Sequence, residues 1–90
     1  MVTEIENRII SLAQDIQELI NHEFERVNWK PDANSYLSQA GLQNGLEIVR
    51  DYIYHGEIAV AFDHLGYMIT DSGIKVPENY VVRFEQLSNK

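Results

Sequence analysis

Asp51-Tyr52-Ile53-Tyr54-His55-Gly56-Glu57-Ile58-Ala59-Val60-Ala61-Phe62-Asp63-His64-Leu65 joins two amphipathic helical patterns at a single glycine. Before Gly56, Leu46, Val49 and Ile53 recur at helical spacing, with Leu42 just ahead of them. After it, Ile58, Ala61, Phe62, Leu65, Met68 and Ile69 do the same. Gly56 suits a left-handed C-cap, and His55 in the last turn meets the negative end of the helix dipole. The spacing predicts one helix from about Gln43 to His55 and another from Glu57 to about Ser72, where Gly73 stops it.

Working outward, Thr3 followed by Glu6 has the form of a capping box, which satisfies two early backbone donors reciprocally. Ile5, Ile9, Leu12, Ile16 and Leu19 then draw one apolar stripe, widened by Ile10, Ala13 and Ile20. They predict a helix from about Glu4 to about Phe24 or a little beyond, with Glu4 and Arg8 a favourable i,i+4 pair. Asn28-Trp29-Lys30-Pro31 breaks it, because a proline biases the residue before it to an extended backbone. Pro31 permits a short helical turn to about Leu37. Near the end, Pro77 opens a last helix with Tyr80, Val81, Phe84 and Leu87 on one side. No alternating stretch is long enough for a strand. The chain reads as an all-α bundle of four main helices plus a short one, with residues 1–90 a single helical domain.

Composition narrows the partners. Seven basic and fourteen acidic residues give a formal charge of −7. Nucleic acid and anionic membrane are polyanions, so neither suits this chain, whereas a basic protein does. The same charge also serves solubility. The chain has no cysteine, which excludes disulfides, thiolate metal sites and a cysteine nucleophile. No segment is long enough for a membrane span, and Met1-Val2-Thr3-Glu4 lacks the basic start of a signal peptide, so a cytoplasmic location is expected.

The residue types that carry chemistry are present but scattered. His22-Glu23-Phe24-Glu25-Arg26 begins like a zinc-protease helix and then places arginine where a second histidine is required. His55 and His64 fall on different helices, read as a helix cap and a solvated face. Neither a metal nor another cofactor is expected. Glu47 and Asp51 are carboxylates at i,i+4, a pairing that slightly destabilises a helix. Glu57 and Asp63 add two more across the corner, Glu57 in a first turn where it can accept orphan N–H groups. An acid–base pair needs a water-poor cleft, which a thin bundle seldom builds, so no enzyme activity is expected. Tyr52 and Tyr54 lie about 200° apart on a helix and cannot both face the core. Glu47, Asp51, Tyr54, Glu57, Asp63 and Tyr67 therefore form the candidate partner-binding surface, with tyrosine to anchor and charge to steer.

Tyr52-Ile53-x-His55-Gly56-Glu57, then Ala61-Phe62-Asp63-x-Leu65, Ile69, Ile74-x-Val76 and a terminal helix together resemble the MafI-type immunity proteins. These are small helical proteins that protect bacteria from polymorphic toxins, including contact-dependent growth inhibition toxins. The resemblance spans about Leu46 to Leu87. It implies a non-catalytic inhibitor of a cognate toxin domain, a basic protein and commonly a nuclease. The first 45 residues carry none of it, and Trp29 with the Pro31 region would then distinguish one toxin from another. A reading of another class is a helical regulatory module that forms a homo-oligomer through the apolar stripe of its first helix.

Overall fold

The computed structural model describes residues 3–88. Met1 and Val2, at the start read above as unlike a signal peptide, lie outside the described residues. Four helices follow in order: α1 (Glu4–Arg26), α2 (Gly45–Tyr54), α3 (Ile58–Thr70) and α4 (Glu78–Ser88). No strand occurs among the described residues, and the fold is all-α, as the spacing predicts.

Helix α1 is the spine against which the other three pack. Its capping box is complete: the Glu6 N–H donates to Thr3 Oγ1 at 3.2 Å, and the Thr3 N–H donates to Glu6 Oε1 at 2.7 Å. Ile9, Leu12, Ala13, Ile16, Ile20 and Phe24 are buried along one face. Full burial of each large side chain contributes about 1.5–3 kcal/mol. The stripe is therefore consumed inside the chain and is not available for self-association through α1. Across it lie Val49 and Ile53 of α2 and Ala61, Leu65 and Met68 of α3. Helix α4 has no fully buried residue; it is held by Tyr80, Phe84 and Leu87, with Phe84 stacked on Phe62 at 4.5 Å.

The end of α1 differs from the simple break read in the sequence. The Trp29 N–H donates to the Phe24 carbonyl at 2.7 Å and the Asn28 N–H to the Glu25 carbonyl at 3.1 Å. This is a Schellman cap, with Asn28 in the left-handed region and the Trp29 ring on Phe24 as its hydrophobic contact. Trp29 itself has φ 61, a conformation that costs an L-residue about 1–2 kcal/mol.

The short helix also lies elsewhere than expected. Residues 31–35 form a polar turn closed by the Ser35 N–H on the Asp32 carbonyl, and only Tyr36–Ser38 make a 3₁₀ turn. Ser35 Oγ accepts from the Leu37 N–H and so starts the turn there, not at Pro31.

Candidate functional site

The corner between α2 and α3 is built as its sequence suggests. His55 caps α2, Gly56 takes φ +76, and Glu57 precedes α3. The backbone closes tightly, the Glu57 N–H reaching the Tyr52 carbonyl at 2.8 Å. Tyr52 packs on the core while Tyr54 is 69% exposed, so the two tyrosines divide between core and surface.

Glu47, Asp51 and Tyr54 follow one another at i, i+4 and i+7 on the face of α2 opposite Val49, and all three are exposed. Glu57 and Asp63 are exposed as well, Asp63 on the side of α3 opposite its buried line. α2 and α3 pack on each other and on α1, and the turn at Gly56 joins the ends of the two exposed faces. Glu57 makes no capping hydrogen bond, contrary to the role expected for it, and its carboxylate is left to solvent. Tyr67 departs from the surface drawn in the sequence. It is half-buried, its hydroxyl donates to the Ala40 carbonyl at 2.7 Å, and its ring lies against His64.

The arginine ion pairs fall on α1 and not at the corner. Arg8 is paired with Glu4, Arg26 with Glu23, and Arg83 with Asp15. Three of the cations are thus spent on carboxylates of α1. Among the described residues no Lys or Arg lies within 4 Å of the Glu47, Asp51, Glu57 or Asp63 carboxylates. Arg50 is the one cation in α2 and α3, against four carboxylates from Glu47 to Asp63.

His55 sits inside this field. Its Nδ1–H donates to the Asp51 carbonyl at 2.7 Å, and the Asp51 carboxylate lies 3.6 Å away. The carbonyl bond first, and then the Asp51 charge, hold the imidazole pKa above its ordinary value; Glu57 adds a smaller push the same way. Among the described residues no three His, Cys, Asp or Glu side chains are grouped to hold a metal ion. No described helix is long and apolar enough to cross a membrane.

A second region escaped the sequence reading. Residues 27–44 connect α1 to α2 with no long helix, yet side chains tie them down along their length. Gln17, buried on α1, donates through Nε2 to the Leu42 carbonyl at 3.0 Å and the Gln43 carbonyl at 3.3 Å. Its Oε1 accepts from the Leu46 N–H at 2.8 Å. His64 is bonded to the Gly41 carbonyl at 3.0 Å, which removes it from the solvated face assigned to it. Gln39 reaches the Asp71 carbonyl at 2.6 Å, and Tyr36 lies on Gly73. Gln17 offered a signal: a polar residue four after Ala13 and three before Ile20, inside the apolar stripe.

No protein-family model matches the chain, and no curated protein or solved structure matches it.

Proposed function

We propose that this chain is a non-catalytic inhibitor of the immunity type, which binds a basic toxin domain through the corner between α2 and α3. The observation that supports the reading is the cluster of carboxylates at that corner with no Lys or Arg partner among the described residues. Glu47, Asp51, Glu57 and Asp63 stand exposed with no described Lys or Arg within 4 Å of their carboxylates, and Arg50 is the one cation on the two helices that carry them. Such a field raises the encounter rate with a positively charged partner and screens out anionic ones. Tyr54, at 69% exposure, is the aromatic anchor in its centre. Nuclease active sites carry positive charge to hold phosphates, so a nuclease toxin presents the complementary surface.

The test is calorimetry with the C-terminal toxin domain encoded next to this chain's gene. Tight, salt-weakened binding supports the reading, and no heat at any salt rejects that pairing. The double variant Asp51→Lys, Glu57→Lys should slow association by roughly tenfold and flatten its dependence on salt. Association kinetics unmoved by that variant would show that the corner is not the binding surface.

A further inference from the structure

We propose that the connecting segment 27–44, at the far end of the α2–α3 hairpin from the acidic corner, is a dimerisation surface that takes a second copy of this chain. The charge distribution selects this region. Its 18 residues contain one Lys and one Asp, so the whole formal charge of −7 resides on the rest of the molecule. Two copies repel at the corner and at most of the remaining surface, whereas at 27–44 they meet without that penalty.

The shape selects a copy of itself. Trp29 lies flat on Phe24 beside the Schellman cap and leaves its outer face open, at 43% exposure. Beside it a hollow of about 520 Å³ is lined by Phe24, Pro31, Leu37, Gln43 and Asn44. The open indole face and the hollow belong to one segment and meet at Phe24. In the proposed dimer a two-fold axis lays each Trp29 face over the mouth of the other copy's hollow, the self-complementary arrangement an isologous dimer requires. Val27 and Tyr36 are further exposed apolar side chains of the same segment.

The segment is also prepared for contact. Gln17, His64 and Tyr67 each hold it by a carbonyl, and two consecutive non-glycine residues keep positive φ, Asn28 at 55 and Trp29 at 61. A backbone held in a sparsely populated conformation to display an exposed tryptophan is a feature of binding sites. A standard interface buries about 800 Å² on each partner. That is about one seventh of the 5863 Å² surface, within reach of this segment and the helix ends beside it. This arrangement gives Trp29 to self-assembly, not to the recognition of a toxin, and leaves both acidic corners free at the outer ends.

Sedimentation equilibrium of the full chain, from micromolar to millimolar concentration, tests the proposal. The mass should rise from 10.4 kDa toward twice that value. The dimer should tighten as salt screens the −7 charge of each copy, the opposite of the salt response of a basic partner at the corner. Trp29→Ala should weaken it by roughly thirtyfold, as loss of a central aromatic anchor does. Ala40 also lines the hollow, and only its backbone carbonyl is used in a hydrogen bond. Ala40→Glu therefore places a charge in each hollow without removing a hydrogen-bonding group, so it serves where Trp29→Ala loosens the cap. A chain that stays monomeric to millimolar concentration in high salt overturns the proposal. So does a dimer that survives Ala40→Glu with its helical circular dichroism unchanged. Dimerisation without any toxin binding would reject the proposed function and leave this inference standing.

Discussion

The α2–α3 hairpin ends in two opposite ways. At its turn, three residues close the chain, and the side chains there face outward with exposed carboxylates. At its open end, about 15 Å away along the ten residues of α2, an 18-residue segment is drawn inward by side chains of α1 and α3. The turn is stabilised locally, by backbone hydrogen bonds within a few residues. The open end is stabilised by hydrogen bonds between residues 23 to 32 apart. Charge follows the same division. The turn carries the carboxylates, whereas the open end is neutral and tied by side chains from α1 and α3. The lesson is that a small bundle can separate long-range attraction from short-range fit and place them at different ends.

Removing the central tie should break this contrast most severely. Gln17→Ala leaves the Leu46 N–H and the Leu42 and Gln43 carbonyls without their partner, in a region where Gln17 itself is only 7% exposed. Buried groups orphaned this way cost about 1–3 kcal/mol each unless water reaches them, so a loss of about 3 kcal/mol is expected. Urea denaturation reads it directly. Hydrogen exchange should show the loss first at residues 39–46, with the corner protected until global unfolding. Equal loss of protection at both ends would show that the hairpin has one stability and not two.

The two glycines with the same backbone angle sharpen the contrast. Gly56 and Gly73 both have φ +76. A Cβ on Gly56 meets nothing within 4 Å, while one on Gly73 falls 2.7 Å from Tyr36 Cβ. Gly56→Ala should therefore cost only the conformational penalty, about 1 kcal/mol. Gly73→Ala should cost about 2–3 kcal/mol, because Tyr36 and the segment behind it must also move. The difference between the two midpoints in urea measures how firmly the segment is seated. Equal values would mean that Tyr36 yields freely.

Most of the bundle was legible in the sequence because its helices are specified locally. Apolar spacing placed α1, α2 and α3, and Thr3 with Glu6 fixed the first cap. Five of the six candidate site residues stand exposed as a surface requires, because outward positions follow from the same helical period that gives the core. Tyr67 does not, since its partner is the Ala40 carbonyl 27 residues away, and no periodicity reports where a connecting segment returns. His64 was misread for the same reason, its partner being Gly41. The short helix was misplaced because Pro31 permits a helix start, but Asp32 and Ser35 close a turn first. Trp29 was visible as a lone aromatic in a break. Its left-handed backbone was not, since the cap that imposes it depends on Phe24 being buried in the right register.

The smallest effect concerns His55, whose pKa is raised at the corner. The Asp51 carbonyl accepts its proton-bearing nitrogen and the Asp51 and Glu57 charges reinforce the imidazolium, so the folded pKa lies above the unfolded value of 6.5. A group whose pKa rises on folding contributes stability in full below its unfolded pKa, and loses it as pH increases through the folded one. The corner should therefore loosen slightly from pH 6.5 upward, while the neutral open end is indifferent to this titration. His55 is solvent-exposed, so the contribution is reduced by salt and is best read at the residue itself. Proton resonances of the three imidazoles, followed from acid to alkaline pH, should give His55 a midpoint above 6.5 that falls toward it in high salt. Asp51→Asn removes the carboxylate but keeps the carbonyl, and should lower the midpoint only in part, because the carbonyl bond is the larger cause. A midpoint that returns fully to 6.5 in that variant would mean that the corner acts on His55 through charge alone, and that the α2 C-terminus contributes nothing to it.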